Sequence, residues 1–237
     1  MSSNKHFHPE SKLLREFVKG ELSTGLSVAI SAHLEMCSSC QQAANDLENS
    51  IATKWVEESP VKSVEFGGDI DTLISSITAT SQIKEEMPAP AQDNTVSIDC
   101  ESDMREVKLP SVLAKIAADG LEWKRVAGGI SEASVVLDDK TQCEFLYMKP
   151  GSQVPPHKHQ GSEVTLVLDG SFSDDFGDYK PSDFLLRTSK DTHQPRTEEG
   201  CLCFAVLDSP LTFTSGLARL LNPILRYRFR RATSPGI

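Results

Sequence analysis

Hydrophobic positions fall into two textures along this chain. In the first third they recur at helical spacing. Leu13, Leu14, Phe17 and Val18 stand between Glu10 and Lys19, with Gly20 placed to end a short amphipathic helix. After Ser23, a candidate N-cap, Leu26, Ile30 and Leu34 carry a helical pattern through the His33 to Cys40 segment, and Leu47 to Val56 predicts a third short helix. Pro60 and the Gly67-Gly68 pair break the chain. Beyond them Ile70, Leu73, Ile74 and Ile77, at i, i+3, i+4 and i+7, predict a fourth amphipathic helix. Few other apolar elements lie near it, so its apolar face either packs on the other three helices or is offered to a partner protein.

From Lys84 to Met104 the sequence KEEMPAPAQDNTVSIDCESDM is acidic, Pro/Ala-rich and without sustained period, which predicts an interdomain linker over 85–104. Past it the pattern shortens to alternating runs separated by turns, among them SEASVVLDD, CEFLYMKPG, SEVTLVLDG, SDFLLRT and CLCFAVLDS. Residues 105–231 are therefore expected to form an all-β domain, a small barrel or jelly roll. At its end Arg226, Arg228 and Arg230 alternate with Tyr227 and Phe229. This reads as an edge strand with a wet arginine face, in preference to a phosphate-binding tail that would also use Arg231.

Composition supports two folded parts and a linker: 237 residues, 38% hydrophobic and 24% charged, with 14 Gly and 13 Pro. No window approaches the roughly 18 apolar residues of a membrane span, and the first ten residues have no apolar secretion segment, so a soluble cytoplasmic protein is expected. The formal net charge of -10 is unevenly placed. Residues 1–84 hold seven basic and eleven acidic groups, 85–104 hold six acidic and no basic ones, and 105–237 are balanced. Direct contact of the acidic first 104 residues with nucleic-acid phosphates is disfavoured, and a basic protein partner suits them better.

Six cysteines in a cytosolic chain point to metal ligands or redox thiols sooner than to disulfides. The six histidines sharpen this: His6, His8 and His33 fall near Cys37 and Cys40, and His157, His159 and His193 fall together in the second half. Two metal sites, one per half, are expected. In the first, His33, Cys37 and Cys40 come from one segment, with His33 and Cys37 one helical turn apart. Zinc in a structural role takes a closed tetrahedral N/S shell, so a fourth ligand must come from outside, with His8 and His6 as candidates. Such a site would tie the first helix to the second in a domain too small to be held by its core alone, and its two thiols would be oxidisable.

The H-x3-C-x2-C spacing of His33, Cys37 and Cys40 with an upstream His resembles the zinc-binding anti-sigma factors of bacteria. That resemblance maps the upstream ligand to His8, five residues before Leu13 and twenty-five before His33, with His6 as the fallback. It implies that residues 1–84 form a four-helix domain that clamps an extracytoplasmic-function sigma factor in a 1:1 complex. The Ile70 to Ile77 face would be part of the clamp.

In the second half, GSQVPPHKHQGSEVTLVLDG from Gly151 to Gly170 reads G-x5-H-x-H-x3-E-x6-G, which is similar to the first motif of the cupin barrels. His157 and His159, at i and i+2 of a strand, face the barrel interior together, and Glu163 returns to the same pocket after a turn. His193, in LRTSKDTHQP, stands where the second cupin motif puts its His, although Ser182, Thr188 and Lys190 occupy positions where cupins usually have Gly, Pro and Gly. Three imidazoles and a carboxylate suit zinc foremost, or iron(II), manganese or nickel.

Together the halves resemble the ChrR type of anti-sigma factor over nearly the whole chain: a helical zinc domain, then a cupin domain. The resemblance implies a transcriptional repressor with no catalytic residues. Its cupin domain is required to answer oxidative stress, singlet oxygen or organic hydroperoxides. Two rivals remain. One is a metal-dependent cupin enzyme, a dioxygenase or lyase, with the zinc helices as a docking module. The other is a thiol switch acting through Cys37 and Cys40 alone. Cys201 and Cys203, on one face of a strand with Ala205, read as core residues before redox sensors, and Cys100 and Cys143 as incidental.

Overall fold

The computed structural model describes residues 7–58, 69–80, 94–100 and 103–233. His6 lies outside the described residues. Four helices come first: α1 (Ser11–Val18), α2 (Thr24–Met36), α3 (Ser38–Glu58) and α4 (Ile70–Ala79). Ser23 caps α2 through its side chain, which accepts from the Leu26 N–H. The helical run does not pass unbroken through the zinc motif as its periodicity suggested. Cys37 is extended (φ −134°, ψ 98°), so α2 stops there and Cys40 belongs to α3, which starts nine residues before the predicted third helix. A break at this point lets His33, Cys37 and Cys40 turn toward one centre instead of stepping around a single helix.

The fourth helix forms where its period places it, capped by Asp69. Its apolar stripe stays in the open, with Ile70, Leu73, Ile74 and Ile77 at 50%, 50%, 52% and 58% exposure. The stretch read as linker carries secondary structure at its end. β1 (Thr95–Cys100) pairs antiparallel with β2 (Asp103–Lys108), Thr95 opposite Lys108 and Cys100 opposite Asp103.

After α5 (Ser111–Ala117) come eleven short strands: β3 (Lys124–Ala127), β4 (Ile130–Val135), β5 (Gln142–Met148), β6 (His157–His159), β7 (Glu163–Gly170), β8 (Phe172–Asp174), β9 (Gly177–Tyr179), β10 (Phe184–Arg187), β11 (Thr192–His193), β12 (Cys201–Leu207) and β13 (Leu211–Phe213). A six-stranded antiparallel sheet in the order β10-β7-β12-β5-β4-β3 forms one wall, and a three-stranded sheet, β11-β6-β13, lies at the metal motif. This is the expected jelly-roll barrel, here with helices on its outside.

The centre of the large sheet is buried on both faces. Every residue of β12 is buried, and its side chains alternate between two cores. Leu202, Phe204 and Val206 turn outward into a cluster with Ala29, Ile30 and Ala32 of α2 and Leu113 and Ala117 of α5; Cys201 and Cys203 turn inward with Met148, Val167 and Tyr179. The helical part and the barrel thus share one apolar core, and the rule that antiparallel sheets leave one face wet does not hold for this wall. Gly25 shows how close the approach is. A Cβ there would meet Cys143 Sγ and Thr141 Oγ1 at 2.5 Å, so Cys143 is a buried residue beneath the start of α2.

The C-terminal arginine segment corrects an expectation. A 3-10 turn (Leu217–Leu221) leads into α6 (Asn222–Ala232), a helix and not an edge strand. Pro223 in the first turn and the helix-favouring Leu and Arg residues win over the apparent alternation. Leu225, Arg228, Phe229 and Ala232, at i, i+3, i+4 and i+7, are its less exposed positions, and Arg228 reaches inward to pair with the buried Glu132.

Gly170, the last glycine of the first barrel motif, ends β7 with φ +69°, where a Cβ would collide with the Gly200 carbonyl oxygen. Gly170→Ala is expected to cost about 3 kcal/mol and lower Tm by about 6–12 °C, read by thermal unfolding.

Candidate metal centres

The first cluster joins the chain before α1 to the α2–α3 junction. His8 precedes α1, His33 closes the last turn of α2, Cys37 is the break residue and Cys40 lies in the first turn of α3. His8 Nδ1 stands 3.5 Å from Cys37 Sγ and 3.4 Å from Cys40 Sγ. One ligand atom from each of the four residues lies within 4.8 Å of the others, and three of the four are buried. These separations suit the edges of a tetrahedron with Zn–S and Zn–N bonds of about 2.3 and 2.0 Å.

His33 supplies the decisive detail. Its Nδ1–H donates to the Ser182 carbonyl at 2.9 Å, while its Nε2, fully buried, has no hydrogen-bond partner. A buried ring nitrogen facing two thiols and a second imidazole, with the opposite nitrogen anchored, is what a zinc ligand requires. Burial lowers the His33 pKa to about 4, so the ring is neutral at pH 7. The two thiols are pushed apart. Burial raises Cys40 to about 11, assisted by the neighbouring Cys37. Cys37 is also penalised by burial but is drawn below its ordinary value by Ser39 and by N–H donors. Two thiols in one small site cannot both ionise without a cation between them.

The second cluster sits inside the barrel. β6 projects His157 and His159 to one face, Glu163 opens β7 and His193 closes β11, directly opposite His157 in the ladder. All four are buried, with ligand atoms within 4.8 Å of one another. His159 Nε2 lies 2.9 Å from Glu163 Oε2 and 3.3 Å from His193 Nε2, and His193 Nε2 is 3.9 Å from the same carboxylate oxygen. Two rings are held from behind: His157 Nδ1 donates to the Pro155 carbonyl at 3.0 Å, and His193 Nδ1 donates to Asp174 Oδ2 at 3.1 Å. Each therefore turns its Nε2 to the centre. Burial pushes Glu163 up, but His159 and then His157 and His193 outweigh it and hold the carboxyl at about 2. Burial, reinforced by His193, lowers His157 to about 4. Three imidazoles around an ionised carboxylate fit a divalent cation.

Each expected ligand set is thus brought together, His8 among the first; His6, its fallback, lies outside the described residues. What the sequence reading missed stands behind the ligands. Asp174, nineteen residues before His193, also accepts from Tyr179 at 2.7 Å and pairs with Arg187 at 3.2 Å. Ser182, a backbone partner of His33, is 149 residues from it. No short spacing marks either one. Cys201 and Cys203 face each other at 3.4 Å between sulfurs, both buried in the inner core, and Cys203 reaches a cavity beside the barrel cluster.

That cavity, about 90 Å³, is lined by Ile130, Leu146, Met148, Phe172 and Phe213 together with His157, Glu163, His193, Glu132 and Glu144. Burial raises Glu144 to about 7, although Gln142 Nε2 donates to it at 2.7 Å. A carboxyl whose folded pKa lies above its unfolded value of about 4.5 costs stability as pH rises from 4.5 to 7, and the full cost persists above 7. Glu144→Gln is expected to recover on the order of 3 kcal/mol at pH 8 and almost nothing at pH 4 in metal-free protein, read from urea unfolding at the two pH values.

Comparison with known proteins bears on both clusters. Residues 113–209 match the ChrR cupin-like domain family. The anti-sigma-E factor ChrR of Cereibacter sphaeroides is 28% identical over 224 residues, 92% of this chain and 97% of the relative. The solved complex of Rhodobacter sphaeroides SigE with the anti-sigma ChrR superposes with a TM-score of 0.63 at 24% identity, over 85% of this chain and 98% of that one. This chain has the ChrR architecture. An acetylacetone dioxygenase from Acinetobacter johnsonii overlaps 39% of this chain and 72% of its own at 14% identity, with a TM-score of 0.36. The ChrR likeness spans the helical part and the barrel alike, and the family match ends at residue 209, before the 3-10 turn and α6. Among the described residues no helix is long and apolar enough to cross a membrane.

Proposed function

We propose that this chain is a zinc-dependent anti-sigma factor of the ChrR kind. It binds an extracytoplasmic-function sigma factor 1:1 in the cytoplasm and releases it under oxidative stress, singlet oxygen or an organic hydroperoxide, sensed through the barrel. The observation that carries the reading is the pairing of two four-donor clusters, seven of whose eight residues are buried, in a chain that matches ChrR over 92% of its length. Residues 1–84 act as the zinc-binding inhibitor, 85–104 as the connection and 105–231 as the cupin sensor. His8, His33, Cys37 and Cys40 hold zinc, and His157, His159, Glu163 and His193 hold a divalent metal, zinc foremost. Inhibition needs no catalytic residue: the helical part covers sigma surfaces that polymerase requires. The open stripe of Ile70, Leu73, Ile74 and Ile77 supplies apolar area for that cover, and the acidic balance of the first 104 residues suits a basic DNA-binding partner.

The test is co-expression of the full chain with the sigma factor encoded beside it, followed by size-exclusion chromatography and metal quantification. A 1:1 complex carrying zinc is expected, and failure to co-elute with a metal-loaded chain overturns the reading. The full chain is required, because cutting at residue 84 would strip Ala29, Ile30 and Ala32 of the barrel wall that covers them.

A second reading, a metal-dependent dioxygenase or lyase, is favoured by one observation: Glu144, held near neutrality by burial, lines the same apolar cavity as the barrel ligands. O2 consumption with small diketones and carboxylic acids, abolished by Glu144→Gln, would establish it.

A further inference from the structure

The two metal clusters are joined by a run of contacts that neither ligand set requires. Phe7, the residue before His8, is fastened to the barrel at both backbone groups: its N–H donates to Asp183 Oδ1 at 3.1 Å, and its carbonyl accepts from the Phe184 N–H at 2.9 Å. Its ring meets Tyr179 edge-on, with centroids 4.9 Å apart at 64°. Tyr179 is buried and donates to Asp174 Oδ1 at 2.7 Å, while Asp174 Oδ2 accepts from His193 Nδ1. A second arm runs from His33 Nδ1 to the Ser182 carbonyl. Both arms end on the turn between β9 and β10, where Asp183 Oδ2 accepts from the Lys180 N–H.

The turn itself is under strain. Ser182 has φ +77°, the left-handed region, and is the one non-glycine residue with positive φ among those described. A turn held in a costly conformation by contacts from two sides relaxes when either side is withdrawn. With His193 fixed, Asp174 is fixed, the Tyr179 hydroxyl keeps its acceptor and the ring keeps its place against Phe7. With His193 free to rotate, Asp174 loses one of its partners and the support under His8 and His33 loosens. Equilibrium coupling of this kind is reciprocal.

We propose that Phe7, Tyr179 and Asp174 are positioning residues that couple the two clusters, so that metal in the barrel tightens the hold of the helical site on its own metal. The proposal rests on both clusters binding metal, as proposed above, and supplies that function with a route from sensor to inhibitor.

Cobalt(II) separates the two sites in the full chain, because a sulfur-to-cobalt charge-transfer band arises only where Cys37 and Cys40 bind. The decay of that band under EDTA is compared in the wild type and in His157→Ala, which weakens the barrel site at a ligand anchored to Pro155 and not to Asp174; because the His157 ring also lies 4.3 Å from that of His193, the unmutated chain carrying one and then two equivalents of cobalt is compared beside it. About tenfold faster decay is expected in His157→Ala. In a Tyr179→Phe background, which keeps the ring and removes the hydroxyl, His157→Ala should change nothing further. Phe7→Leu should behave in the same way. Where His157→Ala fails to fold by circular dichroism, the unmutated chain alone gives the comparison. Decay that ignores barrel occupancy overturns the coupling, and equal acceleration with Tyr or Phe at 179 overturns the route. A chain with no thiolate band overturns the metal reading, and the proposal falls with it.

Discussion

Cys40→Ala is expected to empty the helical metal site and abolish sigma-factor binding. The helical part has little else to hold it. Among the described residues its buried apolar side chains are Leu14, Ala29, Ile30, Ala32 and Ala44, together with the two cysteines, and the alanines contribute small areas. At about 25 cal/mol per Å² such a core is a weak opponent of chain entropy. Structural zinc supplies an apparent 10–16 kcal/mol in small domains, and here the four residues that could hold it come from the chain before α1, the end of α2, the break and α3. Removing one thiolate of two should therefore cost most of the affinity. The loss will be uneven, because α2 lies on the β7 and β12 wall through Ala29 and Ile30, whereas α1 reaches that core through Leu14, with Leu13 and Phe17 partly buried against it, and α3 through the partly buried Leu47. Hydrogen exchange should show α1 and α3 deprotected and α2 largely retained, with zinc falling by one equivalent per chain. A Cys40→Ala chain that keeps both its zinc and its partner would remove the cluster from the inhibitory function.

Two kinds of information were legible in the sequence. Ligands brought together by short spacing, His33 with Cys37 and Cys40, and His157 with His159 and Glu163, announce themselves because one helical turn or one strand step fixes their relative direction. The alternation of short runs likewise announced the barrel. What stayed hidden depends on long-range packing. The Cys37 break has no Gly or Pro to mark it; the geometry of the cluster imposes it. The Ser182 carbonyl and Asp174 are set behind His33 and His193 by tertiary folding alone. The C-terminal arginines misled through a true alternation, R-Y-R-F-R, that is too short to outweigh the helix start at Asn222-Pro223. β1 lay concealed in an acidic stretch because a two-stranded ribbon at the surface needs little apolar content.

His159→Ala should have the second largest effect, and its pH dependence separates loss of metal from loss of fold. His159 is 1% exposed and is the principal charge partner of Glu163, at 2.9 Å. In the metal-free wild type the folded Glu163 pKa, about 2, lies below its unfolded value of about 4.5. Its contribution is therefore fully present above pH 4.5 and is lost as pH falls toward 2; the two values correspond to on the order of 3 kcal/mol. Without His159 a buried carboxylate keeps only its weaker partners, and breaking such a pair costs about 3–5 kcal/mol at neutral pH. The variant should gain little further stability between pH 2 and pH 5, where the wild type gains most of this increment. A response lost in His159→Ala alone could thus reflect a softened barrel. His157→Ala leaves the Glu163–His159 contact in place and still removes a ligand, so metal-free His157→Ala should keep most of the Glu163 increment while losing the decline that the wild type shows from about pH 6.5 toward 4, where protonation of the unfolded chain opposes a buried neutral His157. If the sigma factor stays bound to His157→Ala in unstressed cells and is no longer released by singlet oxygen or hydroperoxide, the barrel metal is the sensor. Release that persists in a folded, metal-depleted His157→Ala chain would move the sensor to Cys37 and Cys40.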